Sequence, residues 1–126
     1  MESTDYTIGE TRVERDAYKK LSAETIIALP EAEGRRLEIS TSRGDRGLVT
    51  RASVYHVKGG MRTFIIGGDF FKTIVHSGAR GTEPAIRAQH SVAIRQIPQI
   101  VAEARAHYAN TVEGQRADRL REQRAA

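Results

Sequence analysis

Cysteine is absent from the chain, which excludes a disulfide framework, a thiolate metal site and a cysteine nucleophile. Tryptophan is absent too, and four Tyr and three Phe are the only rings on hand for stacking against a flat ligand. No apolar run approaches the roughly 18 residues of a membrane span. Runs such as Phe64-Ile65-Ile66 have the length of a strand or a core segment. The start, Met1-Glu2-Ser3-Thr4-Asp5, is acidic and polar, the reverse of a secretory signal with its basic start and apolar centre. These absences lead to the expectation of a soluble, cytoplasmic protein with no membrane partner. The four histidines, His56, His76, His90 and His107, show no HxH, HxxH or HExxH spacing, so no metal site is expected. No Gly-Lys-Ser/Thr loop or dinucleotide fingerprint occurs, and no cofactor is expected.

Lysine is also scarce, at four against sixteen arginines, and the guanidinium fork suits two phosphate oxygens at once. The net charge of +4 is unevenly spread. Residues 35–95 hold eleven cations against Glu38, Asp45, Asp69 and Glu83, whereas residues 1–34 hold four cations against eight carboxylates. A basic middle points to an acidic partner, nucleic acid first.

With 126 residues and 39% apolar side chains the chain is long enough for one domain with a real core. Residues 1–9 read as a flexible arm, 10–113 as a single globular α+β domain and 114–126 as a polar, frayed tail, since Leu120 is the one large apolar side chain there. Thr11-Arg12-Val13-Glu14 has the form of a capping box, and Val13, Ala17 and Leu21 recur every four residues, which predicts a helix over 11–23. Residues 25–29 read either as a short strand or as more of that helix, ended by Pro30. Residues 36–42 alternate as a half-buried strand, 48–58 form the next, and Gly59-Gly60 turns into a third over 61–66. Phe70, Phe71, Ile74 and Val75 fall at i, i+1, i+4 and i+5, favouring a short helix over 69–78, with a fourth strand as the alternative. Residues 84–97 carry a helical stripe of Ile86, His90, Ala93 and Ile97, although 91–97 also alternates like a strand. Residues 99–111 read as a helix with Ile100, Val101, Ala104 and Tyr108 inward. The expected fold is an antiparallel β-meander of three or four strands with helices packed on one face.

The order helix, three strands, helix resembles that of double-stranded-RNA-binding domains. The lysine-rich start of their last helix has no counterpart in Gln99-Ile100-Val101-Ala102-Glu103, so no residue role is carried over.

On the strand 48–58, Leu48, Thr50, Ala52, Val54 and His56 read as core, leaving Arg51, Ser53 and Tyr55 outward. The candidate nucleic-acid-binding residues are Arg43, Arg46, Arg51, Lys58 and Arg62 for phosphates, with Tyr55 for a base. No catalytic residue is assigned, and the protein is expected not to be an enzyme. A protein–protein module (inhibitor, adaptor or assembly subunit), homo-oligomers included, uses the same charge asymmetry and is the alternative. A third reading, metal-independent ribonuclease chemistry, needs His56, Tyr55, Lys58 and Arg51 together. It is weakened because Tyr55 and His56 are sequence neighbours on a strand and face opposite ways. Ser77-Gly78-Ala79-Arg80-Gly81-Thr82 has the ingredients of an anion nest but reads more simply as a connection.

Overall fold

A strand that buries one face must alternate. Alternation runs through more of this chain than its local patterns suggest. The computed structural model of the protein describes residues 5–125. Its strands are β1 (Thr7–Ile8), β2 (Arg12–Arg15), β3 (Leu21–Ala28), β4 (Arg35–Gly44), β5 (Gly47–Lys58), β6 (Met61–Thr63) and β7 (Phe71–Ser77). Three helices follow, α1 (Glu83–Ile94), α2 (Ile97–Asn110) and α3 (Val112–Ala125).

The seven strands make one antiparallel sheet in the order β1-β3-β4-β5-β6, with β2 on the same side of β3 as β1 and β7 pairing β5. The sheet is thus larger than the three or four strands expected. Among the described residues, no helix is long and apolar enough to cross a membrane.

Three expected elements differ. The helix expected over 11–23 is instead β2, a turn and the start of β3. The Asp16 carboxylate accepts from Tyr18 N–H at 2.8 Å and Lys20 N–H at 2.9 Å, and Lys19 takes φ 61°. That carboxylate gives the backbone amides a turn to satisfy them, which defeats the helix. With strands in place of this helix, the order behind the resemblance to double-stranded-RNA-binding domains is not the one present. The segment over 69–78 is strand β7 rather than helix. Thr50 pairs with Val75 and Arg51 with Thr73, so Ile74 is an extra, bulged residue, and the bulge produced the false helical spacing. The third meander strand stops at Thr63 instead of running to 66.

Beyond Gly114 the chain is helical to Ala125, and Ala117 is fully buried. Thr111 ends α2 with extended backbone and its hydroxyl accepts from Gly114 N–H at 3.0 Å, capping α3. In α1, Thr82 is the N-cap and Pro84 sits in the first turn, where its missing N–H costs nothing.

The core forms from alternate sheet residues. Ile27, Leu37, Ile39, Ala52 and Val54 make one cluster with Leu29, Phe70, Ala93, Ile97, Ile100, Val101, Ala104, Tyr108 and Ala117. Each large member contributes about 1.5–3 kcal/mol on burial. Beside it a layer of threonines is buried under α1. His90 Nε2 bonds Thr25 Oγ1 at 2.8 Å, and its Nδ1 bonds Thr41 Oγ1 at 2.8 Å. Thr41 continues to Thr50 at 2.7 Å, and Gln89 donates to Thr50 Oγ1 at 3.2 Å and to Leu48 C=O at 3.0 Å. Gln89 Oε1 accepts from Ser77 on β7, and Thr11 bonds Thr25 at 2.7 Å on the other edge.

Helices α2 and α3 meet at a point where a side chain has no room. A Cβ on Gly114 would lie 1.9 Å from the His107 carbonyl oxygen and 2.8 Å from Tyr108 Cα. Gly114→Ala should lower unfolding free energy by about 1–3 kcal/mol in denaturant titration, because backbone must move. Gly78→Ala, which meets nothing within 4 Å, should stay within about 0.5 kcal/mol. Equal effects of the two would refute the close approach.

Candidate nucleic-acid interface

Pleating sorts the six candidate residues before any tertiary argument is needed. Residues 49, 51, 53, 55 and 57 of β5 lie on the face opposite the apolar cluster, as do their partners Ser42, Ser40, Glu38 and Arg36 on β4 and His76, Thr73 and Phe71 on β7. Arg62, paired with Val57, shares this face. The core parity of Leu48, Thr50, Ala52, Val54 and His56 is as expected, with the first four fully buried and His56 6% exposed.

Arg51 stands on this face exposed and, among the described residues, in no ion pair. Arg62 differs. Its guanidinium donates to Glu38 at 2.9 Å and lies 4.4 Å from the centre of the Tyr55 ring. Tyr55 is only 8% exposed beneath it, so the ring chosen for stacking is already stacked on an arginine. The available ring is Phe71, 57% exposed, which pairs with Ser53 diagonally next to Arg51. Diagonal neighbours in an antiparallel pair lie about 7–8 Å apart. Phe71 was missed because the helical reading of 69–78 hid its parity. The alternation of β7 up to the bulge was the signal.

The other three candidates lie elsewhere. Arg43 and Arg46 flank the β4–β5 turn and, with Arg80 from the β7–α1 loop, line a cleft of about 470 Å³. The Ser77–Thr82 connection therefore contributes a cation to this end of the sheet. Gly47 makes the junction possible: it has φ 123°, and a Cβ there would lie 2.0 Å from the Ser77 carbonyl oxygen. Lys58 lies at the opposite end of β5, about 36 Å away at some 3.3 Å per residue. It lines a cleft of about 390 Å³ with Glu33, His56, Arg121 and Arg124. The structure thus brings Arg51, Tyr55 and Arg62 onto one face, Arg43 and Arg46 to one end, and Lys58 to the other. It does not bring His56, Tyr55, Lys58 and Arg51 together.

His56 belongs to a buried polar group that fastens α2 and α3. Arg35 Nε–H donates to His56 Nε2 at 3.0 Å, and the Arg35 guanidinium pairs with Asp118 and lies 3.9 Å over the Tyr108 ring. The Tyr108 hydroxyl donates to Asp69 at 2.7 Å and accepts from Phe70 N–H at 3.1 Å. Asp69, its carboxylate fully buried, also accepts from Ile65 N–H at 2.7 Å and pairs with Arg121. Burial foremost, then the Asp69 bond, pushes the Tyr108 hydroxyl well above its ordinary range. Because His56 Nε2 accepts from Arg35, the ring proton is on Nδ1, which is buried and has no partner. Burial, then the charges of Arg121 and Arg35, push its pKa down to about 4. His90, held between two threonines, is lowered by burial alone.

The unfolded chain protonates His56 near the ordinary 6.5, the folded chain only near 4. Its contribution to stability is therefore complete above pH 6.5 and is lost as pH falls from 6.5 toward 4. Between pH 7 and pH 5 stability should drop by about 2 kcal/mol from this group. His56→Gln should flatten that part of a stability–pH profile from denaturant titrations, whatever its offset; an unchanged slope would place the titrating group elsewhere.

Among the described residues, no group of three or more His, Asp or Glu side chains is placed to hold a metal ion. Comparison with protein-family models, with curated proteins and with solved structures gives no match for this chain.

Proposed function

We propose that the protein is a non-catalytic binding protein that holds single-stranded nucleic acid on the face of the sheet opposite the apolar core. This reading takes the helices to cover one face of the sheet and to leave the other to a ligand. The observation that carries it is the juxtaposition of Arg51, exposed and in no ion pair among the described residues, with the exposed ring of Phe71 on a face that also bears Ser40, Ser53 and Thr73. The arginine meets a phosphate, the ring stacks a base, and the hydroxyls take sugar or phosphate oxygens. Arg46, beyond the end of the same face, continues the track. Tyr55 and Arg62 act as a fixed platform, since their mutual stacking and the Glu38 pair hold both in place.

A second reading has one observation of its own. Phe64 (45% exposed), Ile66 (86%) and Phe71 line a groove of about 560 Å³, an apolar surface that suits a protein partner or a second copy.

Fluorescence anisotropy with labelled single-stranded DNA, single-stranded RNA and duplex, at two salt concentrations, separates the two. Saturable binding to single strands that weakens with salt is expected. Arg51→Glu should lower affinity at least about tenfold, and Phe71→Ala should remove about 1–3 kcal/mol, with Tyr55→Phe near wild type. No binding at low salt, with Phe71→Ala changing only the sedimentation behaviour of the protein, would replace this proposal by the protein-interface reading.

A further inference from the structure

The cleft at the Lys58 end of β5 collects hydrogen-bond donors that nothing in the protein satisfies. Its floor is His56, 6% exposed, whose Nδ1–H has no hydrogen-bond partner among the described residues, and Arg121, whose Nε is buried without one, while Nη2 is held by Asp69 and Nη1 makes no hydrogen bond but lies 3.7 Å from the Asp118 carboxylate. Its rim carries Lys58 from the end of β5 and Arg124, one turn beyond Arg121 on α3, both exposed. Val57, Thr63 and Ile65 complete the walls, and Glu33 is the one acidic side chain. A buried donor left unpaired costs about 1–3 kcal/mol, so an acceptor placed here gains what the fold forgoes.

We infer that this cleft is a binding site for a phosphoryl group, carried by a small phosphorylated molecule. Four donor side chains converge from two elements, His56 and Lys58 from β5 and Arg121 and Arg124 from α3, which suits the three outward oxygens of a phosphate monoester better than the two of a carboxylate. Arg121 is positioned for this by Asp69 and Asp118, which hold Nη2 and Nη1 of its guanidinium and leave Nε for the ligand. The volume of about 390 Å³ admits more than a bare ion, and the apolar side chain of Ile65 gives the rest of the molecule a surface. Glu33 is available to a hydroxyl of the ligand body. The site lies off the face that carries Arg51 and Phe71, so it stands or falls separately from nucleic-acid binding.

The test is an NMR titration of the full chain with inorganic phosphate. The signals followed are the Arg121 Nε–H and His56 ring resonances, with sodium chloride at matched ionic strength and sodium acetate as the comparison anions. Saturable shifts with phosphate, at least tenfold weaker with acetate and absent with chloride, are expected. Lys58→Gln combined with Arg124→Gln should weaken phosphate at least tenfold with the unfolding midpoint unchanged, while Arg46→Gln in the opposite cleft should not. Shifts that track ionic strength, that are the same for acetate, or that survive the double substitution would overturn the proposal. If the double variant unfolds, Arg124→Lys, which keeps charge but loses the fork, must still weaken phosphate, and no change in it would count equally against the site.

Discussion

One imidazole locks the helical half of the protein to the sheet. His90 sits 2% exposed between Thr25 and Thr41, one ring nitrogen on each, and so bridges two neighbouring strands from a single helical position. Threonines on the buried face of a sheet are a liability unless each hydroxyl is bonded. Here each has a partner, and the chain of bonds runs from Thr11 on one edge through Thr25, His90, Thr41, Thr50 and Gln89 to Ser77 on the other. A one-residue slip of any strand would send its threonine to the other face and break the chain. The network therefore specifies register as well as docking. It also fixes the start of α1, and with it the loop that places Arg80 beside Arg43 and Arg46.

At the other end of the core the problem is inverted, because α3 has almost nothing apolar to bury. Apart from Ala117, it is held by charge: Arg121 on Asp69 and Asp118 on Arg35, with Tyr108 of α2 linking Asp69 to the cation–π contact of Arg35. Breaking a buried pair by removing one partner is far more damaging than never having made it. The pairs thus make α3 conditional on Asp69 and Arg35, both supplied by the sheet half of the chain. A helix fastened this way leaves Arg121 Nε without a hydrogen-bond partner among the described residues, beside the Lys58 cleft.

The two long central strands were legible because their alternation is unbroken: Leu37, Ile39 and Thr41 on β4, and Leu48 to His56 on β5, are buried as their spacing predicts. The helix over 97–110 was legible for the same reason at helical period. The losses have local causes. Val13, Ala17 and Leu21 share helical spacing, yet Ala17 lies in a turn that Asp16 closes, so the spacing carried no packing. In β7 a single bulged residue, Ile74, shifted the phase of an otherwise regular strand. In the tail, hydrophobicity was the wrong quantity to read, since α3 is held by ion pairs whose partners lie 52 and 83 residues earlier in sequence. The site suffered in proportion. The face of Arg51 could be read from β5 alone, but the ring beside it depended on β7.

Formal charge overstates what the basic middle offers an acidic partner. Of its eleven cations, Arg35, Arg62, Lys72 and Arg87 are already in ion pairs within the protein. A paired cation releases no additional counterion when a phosphate arrives, so it adds little to the salt dependence of binding. Glu38 and Glu24 further divide the face around Arg51. The field over the sheet is therefore not a continuous basic strip but a few separate points: Arg51 and the half-buried Arg36 on the face, Arg43, Arg46 and Arg80 at one end, and Lys58 with Arg124 at the other. Separate points favour ligands whose phosphates are held one or two at a time. On the proposed reading, a duplex, with its regular and dense charge, would draw less from such a surface than a flexible strand that can bend each phosphate to a separate cation.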